Sequence, residues 1–268
     1  MHAMMEYVEL KNGVIMPIVG YGTYRTPLPK TRELVLDALE AGYRLIDTAQ
    51  CYGNESGVGK AVEESGIPRS ELFITTKTWT NNYRDTVASI ERSLEELRCD
   101  YVDLLLIHEP SGDIEGIYRA LEEAYENGKA RAIGVSNFLG EKLENLLNTC
   151  RIAPMVNQVE THPLRQQNKT LTQCMNCGII MQSWSPLVAG NRDALTSGII
   201  ESISSAHGKT PAQVALRWLV QRSIPVIPKS TSIEHMRDNL DIFDFELTES
   251  DMEAIAKMDT GKSQFGWW

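Results

Sequence analysis

The chain has 268 residues, 42% of them hydrophobic and 23% charged, with a formal net charge of -10. That composition suits a globular protein with ample core, and the acidic balance argues against a nucleic-acid or anionic-membrane partner, whose phosphates it would repel. An anionic ligand therefore needs a local basic pocket.

No run approaches the roughly 18 apolar residues of a membrane span, and Met1 to Leu10 lacks the apolar core of a signal peptide. The expected location is the cytoplasm. The five cysteines, Cys51, Cys99, Cys150, Cys174 and Cys177, are odd in number and scattered, which suits free thiols better than a disulfide framework. Cys174 and Cys177 form a single CxxC without the second pair that a structural zinc site needs, and they read as packing residues.

In chain order, Val8 to Leu10, Asn12-Gly13 and Val14 to Ile18 predict a β-hairpin, because Asn-Gly accepts the positive φ angles of a type I′ turn. Placed before everything else, it reads as a cap. Short apolar runs then alternate with amphipathic segments. The runs are Ile18 to Tyr21, Arg44 to Asp47, Leu72 to Lys77, Tyr101 to Ile107, Ala130 to Val135, Pro154 to Val159, Ile179 to Trp184 and Pro225 to Pro228.

Helical patterns lie between them at Thr31 to Ala41, Ala88 to Leu97, Ile117 to Tyr125, Leu143 to Leu147 and Ala212 to Gln221. Val87, Ile90, Leu94 and Leu97 recur at threes and fours, the stripe of a helix packed on a sheet. Eight runs alternating with helices predict a parallel α/β sheet closed as a (β/α)8 TIM barrel. An open doubly wound sheet competes, but no GxGxxG follows an early strand; Gly20 and Gly22 are followed by Pro27 and Pro29, which delay a helix. Without a linker rich in Gly, Pro or Ser, the expectation is one domain over 1–268.

Ionisable and polar residues recur where the runs stop: Asp47, Lys77, His108, Ser136, Asn137, Gln158, Trp184, Ser185, Lys229 and Ser230. Each alone has a bland reading as a solvated charge, a satisfied histidine or a turn residue. In a barrel all these strand ends open on one rim, and the recurrence favours a site. Tyr52 follows Asp47 within a tight loop. A phenol has an ordinary pKa of about 10, so a nearby cation that stabilises its phenolate helps it act as an acid. Lys77 can be that cation, Asp47 its counter-charge, and His108 a donor that orients a carbonyl oxygen toward Tyr52. The set protonates an oxygen and contains no obvious nucleophile or metal cage.

These residues and their surroundings resemble the aldo-keto reductases along nearly the whole chain. The resemblance is carried by Ile-Asp-Thr-Ala before Tyr52, Gly-Val-Ser-Asn-Phe around Ser136, Asn-Gln-Val-Glu around Gln158, Trp-Ser-Pro-Leu from Trp184, Ile-Pro-Lys-Ser through Ser230 and Phe-Asp-Phe-Glu-Leu from Phe243. In detail it is similar to the small bacterial and protozoal members.

The resemblance implies NADPH-dependent reduction of an aldehyde or ketone to an alcohol, with Asp47, Tyr52, Lys77 and His108 as a catalytic tetrad and Tyr52 as the acid. It implies that Ser136, Asn137 and Gln158 hold the nicotinamide amide and that Trp184 stacks on the ring. Gly22, Thr23, Tyr24, Asp47, Ser185, Leu187, Lys229, Ser230, Thr231, His235 and Asn239 complete the implied cofactor contacts, with Lys229 and Ser230 at the 2′-phosphate. Tyr24, Trp79, His108 and Glu109 would meet the substrate, a small carbonyl compound, and a monomer is the default.

Two departures from the family pattern bear on specificity. His235 stands where an Arg is common, with Arg237 two residues later and Asp238 shortened from the usual Glu. A histidine cannot make a bidentate fork, so NADPH use with weakened discrimination against NADH is expected. Glu109 stands where many relatives carry Trp, and would disfavour anionic substrates if it points inward. The tail is short and ends Gln-Phe-Gly-Trp-Trp, which suggests an open pocket unless Trp267 and Trp268 cover it. Competing readings are a nucleotide-binding redox sensor or scaffold without turnover, and a metal-dependent hydrolase, which would need clustered His and Asp ligands.

Overall fold

Short buried runs separated by helical stripes leave the chain one efficient solution, a sheet with helices packed outside it. The computed structural model describes residues 6–188, 195, 196 and 198–266. Two strands, β1 (Tyr7–Glu9) and β2 (Ile15–Pro17), pair antiparallel with Val8 opposite Met16. Seven parallel strands follow in sequence order: β3 (Tyr21–Gly22), β4 (Leu45–Asp47), β5 (Phe73–Thr78), β6 (Leu104–Ile107), β7 (Ile133–Ser136), β8 (Val156–Glu160) and β9 (Ile180–Trp184).

The eighth run closes the ring through Val226, which bridges in parallel to both Val19 and Ser183. It is not a full strand, because Pro225 and Pro228 have no N–H to give to a ladder. The bonds that remain are Val226 N–H to Ile18 O at 2.8 Å, Gly20 N–H to Val226 O at 2.8 Å and Gly22 N–H to Pro228 O at 3.1 Å on one side, and Ser183 N–H to Pro225 O at 2.8 Å on the other. A Cβ on Gly22 would meet Ile227 O at 2.7 Å, so the seam needs glycine there. The protein is therefore an α/β TIM barrel with a hairpin at its N-terminal end.

The hairpin turn differs from the type I′ expectation. Gly13 N–H bonds Leu10 O at 2.8 Å and Leu10 N–H bonds Val14 O at 2.8 Å, so Lys11 and Asn12 occupy the turn centre. Gly13 alone takes the left-handed conformation, at φ 84°, and Asn12 does not. Asn12 instead donates its amide to Arg131 O at 2.9 Å, a tertiary contact that pins the cap to the barrel.

The helices in chain order are α1 (Thr31–Ala41), α2 (Glu55–Glu64), α3 (Tyr83–Leu97), α4 (Ile114–Glu126), α5 (Glu141–Thr149) and α6 (Asn168–Asn176), then α7 (Gly198–His207), α8 (Pro211–Gln221), α9 (Ile233–Leu240) and α10 (Glu249–Ala256). In α3 the buried face carries Ile90, Leu94 and Leu97, but Val87 from the expected stripe is exposed and Thr86 is buried in its place. Caps start the elements where polar residues stand: Asn82 accepts from Asp85 N–H, Asp113 from Gly116 N–H, and Thr210 and Gln213 form a reciprocal capping box.

Alternation along the strands divides the core in two. Ile46, Ile74, Leu105, Ile107, Ile133 and Val135 point outward to the helices. Leu45, Phe73, Leu104, Leu106 and Val156 fill the barrel, and Leu10 and Met16 of the hairpin plug its N-terminal end. With that end apolar and filled, the inward polar positions, Asp47, Lys77, Gln158 and Gln182, fall in the upper layers toward the C-terminal rim.

Candidate active site

Lys77, the fifth residue of β5, sends its side chain into the barrel interior, where it is 1% exposed. A buried ammonium must have its protons taken up. Its Nζ donates to Asp47 Oδ1 at 2.5 Å, Thr48 O at 2.9 Å and Tyr52 Oη at 3.4 Å. Asp47 ends β4, and its other oxygen accepts from Gln158 Nε2 at 2.7 Å. The second Gln158 N–H goes to Gln182 Oε1 at 2.9 Å, so the Gln158 carbonyl oxygen is left as an acceptor.

Tyr52 is placed by a single helical turn, Gln50–Tyr52, that begins three residues after the last residue of β4. Asn54 ties this turn to the neighbouring loop, accepting from Thr48 Oγ1 at 2.6 Å and donating to Thr23 O at 3.1 Å. Gln50 ties it to α3 through Ser93 Oγ at 2.9 Å and receives Trp79 N–H at 2.8 Å. Burial, together with the Asp47 carboxylate, holds the Tyr52 phenol well above its ordinary pKa, so it keeps its proton. Lys77 is positioned to stabilise the oxygen when that proton leaves.

His108 follows β6 and meets Tyr52 edge-on at 5.5 Å and Trp79 at 5.1 Å. Burial first and the charge of Lys77 second lower its pKa to about 3, which keeps the imidazole neutral. Its Nδ1 lies 3.3 Å from Cys51 Sγ. Tyr24 packs on Tyr52 at 5.0 Å and, with Trp79, is among the exposed large apolar residues. Such aromatics suit a pocket mouth.

Asn137 is the second hub. It stands in the left-handed region at φ 64°, directly after β7. Its Oδ1 accepts from Trp184 Nε1 at 2.9 Å and its Nδ2 donates to Glu109 Oε1 at 3.0 Å. Glu109 is half-buried and its Oε2 has no hydrogen-bond partner among the described residues. Burial raises its carboxyl to about 7 against the lowering effects of Asn137 and Lys142. The carboxyl therefore turns inward to the site, the alternative to a solvent-facing side chain.

The remaining sequence candidates form a separate group beyond the eighth run. Tyr21 Oη donates to Ser230 O at 2.7 Å, and the Ser230 hydroxyl donates to Ser232 O at 3.0 Å within its own turn. Lys229 is exposed and takes part in no ion pair among the described residues; partial burial lowers its pKa. Thr231 and His235 are exposed, Asn239 is buried beside the Tyr43 hydroxyl, and Arg237 pairs with Glu40 at 3.4 Å. Gly22 and Thr23 are buried beside Asp47, with Thr23 Oγ1 donating to Asp47 O at 3.0 Å. Ser136 is buried opposite Gln158 in the ladder, and Ser185 and Leu187 follow β9.

The tail reaches the site. Phe265 packs on Trp184 at 5.1 Å, and Gln264 N–H donates to Glu160 Oε1 at 2.9 Å. Trp267 and Trp268 lie outside the described residues. Cys174 is buried and accepts weakly from Asn157, as a packing thiol. Among the described residues no three His, Cys, Asp or Glu side chains are grouped to hold a metal ion, and no helix is long and apolar enough to cross a membrane.

Sequence reasoning passed over Gln182, Gln50 and Asn54. The first was visible as an inward position by strand alternation, two residues before Trp184; the loop ties had no comparable signal.

Residues 18–260 match the sequence profile of the Aldo/keto reductase family. The chain belongs to this family. Aldo/keto reductases are oxidoreductases that use nicotinamide cofactors. The chain is 46% identical over 257 residues to the glyoxal reductase of Bacillus subtilis (strain 168), covering 94% of this chain and 92% of that one. Among solved structures it matches an aldo-keto reductase from a Medee basin deep-sea metagenome library, with TM-score 0.93, 44% identity and 96% of each chain covered. It also matches the Bombyx mori aldo-keto reductase in complex with NADP, with TM-score 0.92, 32% identity and coverage of 97% of this chain and 95% of that one. The aldo/keto reductase barrel thus accounts for the eight runs and for the rim on which the tetrad candidates meet.

Proposed function

We propose that the chain, as one barrel domain and a monomer, reduces small aldehydes and ketones with NADPH, and that Tyr52 is the proton donor. The observation that carries this reading is the buried Asp47–Lys77–Tyr52 line, in which one ammonium bonds a carboxylate at 2.5 Å and a phenol at 3.4 Å. Nothing in that arrangement attacks a substrate; it delivers a proton to an oxygen and stabilises the phenolate left behind.

The residues present fit a nicotinamide dinucleotide phosphate. Lys229 is an exposed cation without an acidic partner among the described residues of a chain of net charge -10, and it would hold a phosphate. Gln158 has both amide N–H groups committed to Asp47 and Gln182, which leaves its carbonyl oxygen to accept from an amide N–H. Trp184 offers a flat indole fixed by Asn137. NADPH bound there supplies the hydride that reduces the carbonyl carbon. His108 Nε2 orients the carbonyl oxygen toward Tyr52, and Tyr24 and Trp79 exclude water from the mouth. Because the Ser230 hydroxyl is committed to its own turn and His235 is no guanidinium, discrimination against NADH is weak.

Absorbance assays with NADPH and NADH over a panel of small carbonyls test this. Glyoxal is a rational first member, since the similar Bacillus subtilis protein is a glyoxal reductase. Wild type should turn over with NADPH, and Tyr52→Phe should lose about 10²- to 10⁴-fold in kcat while still binding NADPH. Binding without turnover, or a fully active Tyr52→Phe, would sink the assignment. A preference for NADPH of many thousandfold would sink the weakened discrimination.

A further inference from the structure

Cys51 occupies the middle of the single turn that places Tyr52, and its sulfur is the partner of His108 Nδ1 at 3.3 Å. A neutral imidazole has one N–H, and the partner of one nitrogen decides which nitrogen carries it. The usual device is a backbone carbonyl or carboxylate at Nδ1, which draws the proton there. Here the partner is a thiol, which can donate its own hydrogen and is a weak acceptor. Burial raises the Cys51 thiol to about 11, against the lowering effect of Lys77, so the sulfur keeps its hydrogen.

We infer that Cys51 is a positioning residue: its S–H donates to Nδ1 of His108 and so places the ring's one proton on Nε2, the nitrogen that faces a bound carbonyl oxygen. Among the described residues the His108 ring makes its hydrogen bond at Nδ1, which leaves Nε2 available as a donor. Without the thiol, both tautomers of the ring become accessible, and the one protonated at Nδ1 presents a lone pair to the substrate oxygen and repels it. The inference rests on the reading that His108 orients the substrate.

Nitrogen-15 NMR of the imidazoles in the NADPH-bound protein tests the tautomer, with the His108 signals identified by their loss in His108→Asn. Wild type should show a protonated Nε2, Cys51→Ala a mixture with the Nδ1-protonated form, and Cys51→Ser the wild-type pattern, because a hydroxyl can replace the donor. In parallel, Cys51→Ala should lower kcat/KM for an aldehyde by about fivefold, the worth of one ordinary hydrogen bond, with NADPH affinity unchanged. Cys51→Ser should recover most of that loss. A wild-type ring protonated at Nδ1, or a Cys51→Ala ring still wholly protonated at Nε2, overturns the inference. A shifted tautomer with unaltered kcat/KM upholds the role of Cys51 and instead overturns carbonyl binding by His108.

Discussion

Glu109 shows how a single side chain can set a pH response beside a site. Its carboxyl faces Asn137, with Lys142 near enough to act on it, and Cys51 and Tyr52 feel its charge. The folded-state value of about 7 lies above the ordinary 4.5, so the folded chain holds this proton more tightly than the unfolded chain does. The associated stability is complete below about pH 4.5 and is lost as pH rises through about 7. Glu109→Gln should therefore flatten part of the fall in Tm between about pH 5 and about pH 8. Equal slopes for the two proteins would show that the carboxyl titrates as it does in water. The positions of Asp47, Lys77 and Gln158 were legible in the sequence because strand alternation and the C-terminal rim determine where such residues point. The inward turn of Glu109 and the Cys51–His108 contact were not, because both sit on loops after the strands, where side-chain direction follows from folding and not from a period.

At the scale of elements, α1 and α8 stand almost where their periodicity placed them, since each runs from a clear start to a clear stop. Helix α2 offered a weaker pattern because Gly57 and Gly59 interrupt it with residues of poor helix propensity. Packing explains the second of them. A Cβ on Gly59 would stand 2.4 Å from Glu96 O and 2.7 Å from Leu97 C, backbone atoms at the end of α3 that cannot swing aside. Alanine normally gains about 1 kcal/mol over glycine inside a helix, but here the overlap opposes that gain. Gly59→Ala should lower stability by about 1 to 3 kcal/mol in a denaturant titration. An unchanged or higher midpoint would mean that α2 and α3 separate without cost. The eighth run was readable as a barrel position but not as a set of bridges, although its two prolines carried that information. The turn at Asn12-Gly13 departs from type I′ because the long-range bond from Asn12 to Arg131 outweighs a local preference.

Across the whole molecule, one carboxylate gathers several of the contacts that join residues 260–265 to the barrel. Glu160, at the end of β8, accepts from Gln264 N–H and pairs with Arg165 and His162, while Thr260 N–H bonds Leu164 O at 2.9 Å. Burial alone would raise its pKa, but hydrogen bonds from His162, the Gln264 backbone and Ser263, together with the Arg165 charge, outweigh it and leave the value at about 2. Because the folded value lies below the ordinary 4.5, the stability it contributes is present above that pH and is lost as pH falls toward about 2. Replacing the charge keeps the shape but weakens every bond in the cluster, including the one that holds the tail against Trp184. Lys262 is exposed, two residues before Gln264, so it reports on release of the tail. Glu160→Gln should speed tryptic cleavage after Lys262 about tenfold or more, in line with the strength of hydrogen bonds to charged groups, while cleavage elsewhere in the barrel stays slow. Mass spectrometry of timed digests reads this directly. The same rate in both proteins would mean that the tail is held by Phe265 and Thr260 without Glu160.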